Sequence, residues 1–177
     1  MSVVLGARDP DRGGAAIESL CRRQSGWESR LELLELDVTC QHSVLSARDA
    51  VLARFGSDPA PLYGLVNNAG IGLGSDDMAA VLDVNTLGVK RVCDAYIPLA
   101  ASSGRIVNVS SASGPRFVSQ SSLQRQHFFQ DPTVEWSDIQ GLIDDVLSTQ
   151  GDPERFRALG LGDINAYGLS KACVSLY

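Results

Sequence analysis

The sequence predicts an α/β fold, a parallel sheet with crossover helices, and three observations lead there. Short apolar runs alternate with amphipathic stretches along the chain, the order that builds strand–helix–strand units. Glycine or proline punctuates the ends of the helical stretches, as at Gly26, Gly56 and Pro98. The length of 177 residues with 44% apolar content suits one soluble domain with a sizeable core, rather than a disordered chain.

Taken in order, residues 2–7 form a short apolar strand. Asp9-Pro10 then caps and opens a helix, with proline at its first position. Ile17, Leu20 and Cys21 make its inner face, Gly13 and Gly14 weaken its first half, and Gly26 stops it. Residues 31–36 are the second strand. The stretch 41–55 is amphipathic through Val44, Leu45, Val51, Leu52 and Phe55, and Gly56 ends it. A third strand at 62–67 precedes one long helix, 78–96, closed by Pro98. A fourth strand covers 105–110. Residues 116–131, polar and rich in Gln120, Gln124, Gln126 and Gln130, read as loop. Ser137 to Gln140 has the form of a capping box, and Ile139, Leu142, Ile143, Val146 and Leu147 follow at helical spacing, which predicts a helix over 137–150. The last helix begins near Asn165.

Composition excludes several classes of function. Net charge is −6, from 15 basic and 21 acidic residues with no basic run, so nucleic acid and anionic membrane are poor partners. No apolar run approaches the roughly 20 residues of a membrane span, and the N-terminus has no signal-peptide pattern. Cys21, Cys40, Cys93 and Cys173 are scattered without metal-like pairing. They read as free thiols in a reducing compartment, which places the protein in the cytoplasm with no metal site.

Tyr167 and Lys171 carry the chemistry. Four residues apart on a helix, they share one face. A lysine ammonium beside a phenol stabilises the phenolate, which suits the tyrosine to general acid–base work near neutral pH. A solvated tyrosine beside a solvated lysine is the ordinary meaning of such a pair. Upstream features argue otherwise: Leu65-Val66-Asn67-Asn68-Ala69-Gly70 ends a buried strand in a tight turn, Asp83-Val84-Asn85-Thr86 follows, and a further strand ends in Ser110-Ser111-Ala112-Ser113-Gly114.

This ordered set, Asn-Asn-Ala-Gly, then Asn, then Ser-x-x-Gly, then Tyr-x-x-x-Lys, resembles the short-chain dehydrogenase/reductase family over essentially the whole chain. The resemblance implies a Rossmann-like doubly wound parallel sheet. It implies that Tyr167 donates a proton to a carbonyl oxygen, and that Lys171 assists it and hydrogen-bonds the nicotinamide ribose. Ser111 would polarise the carbonyl, with Ser110 as rival, and Asn85 would hold a water linking the lysine to solvent. Alternatively, Ser111 is a strand-end hydroxyl bonding backbone, and Asn85 a buried amide satisfied locally. Asn68, Ala69 and Gly70 would border the adenosine and its ribose, while Asn67 either joins them or braces neighbouring strands. Asp37 and Val38 stand where the family places a carboxylate near the adenine amino group. Asp37 could instead cap a helix, and for Thr39 the N-cap is the preferred reading.

Arg8 decides the cofactor. A guanidinium at the end of that strand, with Arg12 one turn on, can pair a 2′-phosphate in a bidentate way, which favours NADP(H) over NAD. Asp9 is ambiguous between a ribose ligand and a helix cap.

The segment of about 116–163 resembles the insertion of the carbonyl reductase branch, whose members are mostly monomers. It either serves the pocket and blocks dimerisation or is a tolerated surface insertion. The whole, 1–177, reads as a single partial dinucleotide-binding domain, incomplete at both ends. It contains no Thr-Gly-x-x-x-Gly-x-Gly turn for the cofactor pyrophosphate, and Gly70-Ile71-Gly72-Leu73-Gly74 belongs to another strand's turn. The family's first strand would sit centrally in the sheet, so its loss would expose apolar edges. The implied function is NADPH-dependent reduction of a small-molecule carbonyl by a protein that is a monomer when complete, the fragment alone being inactive. The alternative is a truncated, inactive remnant that acts as a binding module or has no function. An epimerase or dehydratase of the extended branch shares Tyr-x-x-x-Lys, but Asn-Asn-Ala-Gly and Asn85 argue against it.

Overall fold

Strand β1 (Val3–Ala7) lies parallel to β2 (Leu31–Glu35), in a register running from Val3 opposite Leu31 to Ala7 opposite Glu35. The computed structural model in which they occur describes residues 2–72, 74 and 77–177, so Met1 and the Leu73 of the glycine-dense stretch lie outside the described residues. The chain folds into two compact units, Met1–Tyr63 with Arg91–Gly104 and Gly64–Lys90 with Arg105–Tyr177.

In the first unit, helix α1 (Pro10–Arg23) connects β1 to β2 and packs on both. Asp9 is its N-cap, its carboxylate accepting from the Arg12 N–H at 3.1 Å. The helix buries a glycine: a Cβ on Gly13 would lie 2.5 Å from Leu33 Cδ1 and 2.9 Å from Ala7 Cβ. What reads in sequence as a weak point is therefore where helix and strands approach most closely. Helix α2 (Gln41–Phe55) packs on β2 and buries Val44, Ala47 and Val51. Cys40 is its N-cap and makes no side-chain cap bond, which corrects the expectation for Thr39. Thr39 is held elsewhere: its N–H and hydroxyl both donate to Asp37 Oδ1, at 2.9 and 2.7 Å. This local turn competes with the capping role open to both side chains.

Strand β3 (Leu62–Asn67) is hydrogen-bonded to β4 (Ala100–Asn108), so the strands pair two by two. β4 starts and ends earlier than the predicted 105–110, because its small polar opening, Ala100 to Gly104, carries no apolar signal. The long helix expected at 78–96 is three pieces. They are α3 (Met78–Leu82), one π-helical segment (Asp83–Leu87) and α4 (Gly88–Tyr96), followed by a 3₁₀ turn at Ile97–Leu99 that contains Pro98.

The second unit holds most of the remaining helices. The predicted loop at 116–131 is instead helical: α5 (Ser113–Ser119) and α6 (Leu123–Phe128), the latter capped by Ser122. Its glutamines concealed the pattern, since Phe117 is the one large side chain there that is fully buried and most of the glutamines are exposed. Helix α7 (Trp136–Ser148) starts earlier than expected, because Glu135 and Asp138 form the capping box rather than Ser137 and Gln140. Ile139, Leu142, Ile143 and Val146 are buried, whereas Leu147 is exposed. Helix α8 (Pro153–Ala158) was not anticipated, although Asp152-Pro153 repeats the cap-and-proline signal of Asp9-Pro10. Helix α9 (Ala166–Leu176) completes the unit. Phe117, the α7 residues, Phe156 and Leu161 pack with Leu82 of α3 and with Leu169, Ala172 and Cys173 of α9 in one cluster. Residues of the segment 116–163 thus contribute to this core cluster.

Strand side chains are less well covered. Val66, Ile106, Val107 and Val109 in the second unit, and Val3 and Leu33 in the first, are exposed. No described helix is long and apolar enough to cross a membrane.

Candidate active site

Helix α9 presents Tyr167 and Lys171 on one face, started by Asn165, whose side chain accepts from the Gly168 N–H at 2.8 Å. Lys171 Nζ lies 5.7 Å from the centroid of the Tyr167 ring. The lysine is 5% exposed, and its ammonium donates to the Val109 carbonyl at 2.7 Å. A buried ammonium is costly without hydrogen-bond partners. Among the described residues Val109 is its one acceptor, and an ammonium has three protons to donate.

Asn85 sits in the middle of the π-helical segment and is 1% exposed. Such single-turn bulges re-aim a side chain within an otherwise α-helical run. Asn85 Nδ2 donates to the Ile71 carbonyl at 2.8 Å and to Ser170 Oγ at 3.0 Å, while its Oδ1 accepts from the Ile71 N–H at 2.9 Å. Both amide protons are therefore engaged, and the second lone pair of the oxygen is what the side chain retains for a water. The amide thus finds its partners in Ile71 and Ser170, remote in sequence but within the same unit.

The two serines after β4 are in different situations. Ser110 Oγ donates to the Lys171 carbonyl at 3.1 Å and is hydrogen-bonded to Ser175 Oγ, so it ties the strand end to α9. Ser111 Oγ accepts from the Ser113 N–H at 3.2 Å, which leaves its own proton available to donate. Gly114 explains the spacing of the Ser-x-x-Gly motif. A Cβ there would fall 2.9 Å from the carbonyl carbon and oxygen of Lys171, so only glycine lets α5 approach α9 this closely.

Asn67 Nδ2 donates to Asn108 Oδ1 at 2.8 Å and braces the neighbouring strands. Asn68, Ala69 and Gly70 are exposed. A Cβ on Gly70 would lie 3.3 Å from Asn85 Oδ1 and 3.8 Å from Lys171 Nζ, so the bare backbone of this turn borders the lysine directly.

The first unit holds a separate cluster. Arg8 and Arg12 are exposed. Asp37 is partly buried, with its N–H donating to Ser43 Oγ at 2.9 Å. The Thr39 hydroxyl, then the Thr39 N–H and the nearby Arg8 and Arg91 guanidinium groups, hold the Asp37 carboxyl below its ordinary value against the opposing effect of burial. Arg91 donates to the Val38 carbonyl at 3.2 Å.

Reasoning from sequence missed Arg91, Ser170 and the Val109 carbonyl. Arg91 and Val109 act through backbone carbonyls and leave no motif. Ser170 lies inside Tyr-x-x-x-Lys, at a position the motif leaves open.

Known proteins can now be set beside this geometry. The family model described as short chain dehydrogenase matches residues 1–123. A 3β-hydroxysteroid dehydrogenase of Caenorhabditis elegans, dhs-16, is 41% identical over 120 residues, 63% of this chain and 31% of that protein. Carbonyl reductase (NADPH) 1 of Sus scrofa is 30% identical over 181 aligned positions, 98% of this chain and 59% of that protein. The menthone neomenthol reductase structure from Mentha piperita, at 24% identity, matches with a TM-score of 0.83 over 99% of this chain and 74% of its own, which shows a shared fold. The chain spans less than two thirds of the length of these two curated relatives. With the family model matched over more than half its residues, the chain belongs to the short-chain dehydrogenase family.

Proposed function

We propose that this chain is part of an NADPH-dependent oxidoreductase that reduces a carbonyl group of a small organic molecule, with Tyr167 as proton donor. The observation that carries the reading is the buried Lys171 ammonium, fixed by the Val109 carbonyl at 2.7 Å and placed 5.7 Å from the Tyr167 ring. A positive charge held there stabilises the phenolate that remains once Tyr167 has given its proton to the substrate oxygen. Ser111, with its proton uncommitted among the described residues, donates to the same oxygen and polarises the carbonyl.

Taken separately, each unit offers groups of the kind that a nicotinamide dinucleotide uses. Lys171 keeps donors for a ribose hydroxyl, and the Gly70 turn beside it leaves the space that a side chain would fill. Asn68 and Ala69, exposed in the same turn, are assigned to the adenosine ribose. In the first unit, exposed Arg8 and Arg12 offer guanidinium groups to a 2′-phosphate, and Asp37 and Val38 serve the adenine. Asp9 serves as a helix cap, which supports giving the phosphate role to the arginines. When bound, NADPH supplies the hydride.

The carbonyl reductase match runs through the inserted helices, whereas the hydroxysteroid dehydrogenase match covers 63% of the chain; this favours a carbonyl reductase-like substrate class. α9 is buried from Gly168 to Val174, with the inserted helices packed in the same core cluster, and a monomer is proposed on that cover together with the carbonyl reductase likeness. A cytoplasmic location is proposed on the same likeness.

The test is Tyr167→Phe in the native protein that contains this chain. Carbonyl reduction should fall by about a hundredfold or more while NADPH binding stays within a few-fold of the parent. A variant with near-normal kcat removes Tyr167 from the chemistry.

A further inference from the structure

Ser170 is 0% exposed and its hydroxyl has two partners. It donates to the Tyr167 carbonyl at 2.9 Å and accepts from Asn85 Nδ2 at 3.0 Å. Its own carbonyl accepts from Thr86 Oγ1 at 3.2 Å, the residue beside Asn85 in the π-helical segment. On an ordinary helix a serine that bonds back to the preceding turn needs no further partner. Here the bonds form a connected series: the Ile71 N–H donates to Asn85, Asn85 donates back to the Ile71 carbonyl and on to Ser170, and Ser170 donates to the backbone of Tyr167. Each donation in such a series polarises and strengthens the next. At one end, the residue preceding Ile71 is Gly70, whose turn borders the Lys171 ammonium. At the other end is the helical turn that carries Tyr167 and Lys171.

We propose that Ser170 is a positioning residue, whose hydroxyl sets the register of the Tyr167–Lys171 turn against the Gly70–Ile71 backbone through Asn85. Its importance for turnover rests on the reading of Tyr167 and Lys171 given above. Removing the hydroxyl leaves a buried Asn85 N–H without an acceptor. The loss should then loosen both ends of the series rather than the unit as a whole.

The experiment combines hydrogen–deuterium exchange with kinetics, both on the native protein that contains this chain. Ser170→Ala should speed exchange about tenfold in residues 70–72 and 166–171 and leave residues 139–146 unchanged. In the native protein it should lower kcat about tenfold or more while the KM for NADPH stays within about threefold. Ser170→Thr, which restores the hydroxyl, should recover most of both. If the alanine variant does not fold, Ser170→Cys keeps the volume with a weaker hydrogen-bonding group and should show the same local pattern at smaller amplitude. Exchange that rises equally in residues 139–146, or unchanged exchange at 70–72, overturns the proposal. A parent protein that reduces no carbonyl substrate overturns the functional reading instead, and the exchange pattern then decides the positioning link by itself.

Discussion

The cluster on α9 and the cluster around Arg8 are built in opposite ways. Lys171, Asn85 and Ser170 are almost fully buried, and each is held by hydrogen bonds from other elements of its unit. Arg8 and Arg12 are exposed, and the Asp37–Thr39 turn, whose carboxyl feels the Arg8 charge, is stabilised by bonds to residues within six positions in sequence. The difference follows the chemistry each cluster would perform. Proton transfer needs groups held within tenths of an ångström, which close packing and buried polar networks supply. Recognition of a phosphate charge tolerates flexible, solvated guanidinium groups, because a charge interaction falls off slowly with distance.

The comparison breaks most severely where the buried cluster depends on the core beneath it. Phe156→Ala removes a side chain that is 1% exposed among α7 and α9 residues and should destabilise the second unit by about 3–5 kcal/mol. Chemical denaturation followed by circular dichroism measures this, and a loss below about 1 kcal/mol would return the inserted helices to the status of a surface layer.

Gly114→Ala strikes the α5–α9 approach directly, since the new methyl would meet the Lys171 backbone at 2.9 Å. It should cost about 1–3 kcal/mol of stability and lower kcat along with it. Unchanged thermal stability and turnover would show that α9 is not held as closely as described.

Arg8→Ala tests the exposed cluster. It should leave stability within about 0.5 kcal/mol of the parent. It should also raise the KM for NADPH about tenfold, with little change for NADH, because only the former has a 2′-phosphate to lose. An equal effect on both nucleotides would move phosphate recognition to Arg12 or elsewhere.

The smallest effect is expected for Thr39→Ala. The folded Asp37 carboxyl is held below its ordinary value of 3.8, so its contribution is present above that pH and is lost as pH falls through the lower folded value. Because the turn is near the surface, the contribution is a few tenths of a kcal/mol at neutral pH. The parent and Thr39→Ala should converge in stability as the solution is acidified below that ordinary value. A difference that grows on acidification would reverse the assigned sign.

The legibility of the chain divides along the same line as the two clusters. Helix α2 and strand β3 begin and end at the predicted residues, because Gly56, Leu62 and Asn67 mark their limits locally. Tyr167 and Lys171 were readable as a pair because helical spacing alone puts them on one face. Residues 116–131 were misread because their helices are stabilised by a buried Phe117 and a Ser122 cap, amid a polar surface that resembles loop.

Local chemistry written in the sequence therefore determined the strand–helix alternation, the Asp9 and Asn165 caps, the shared face of Tyr167 and Lys171, and the order of motifs that places the chain in its family. These depend on neighbours within one or two turns, where backbone geometry is the same in any protein. Only the tertiary structure decided that Ser110 ties strand to helix while Ser111 keeps its proton. It alone revealed the commitment of Asn85's amide protons to Ile71 and Ser170, and the closure of the inserted helices around α9. Each of those outcomes rests on partners such as Ser175, Ser170 or Phe156, and such pairings are fixed by the packing of the whole unit, not by spacing along the chain.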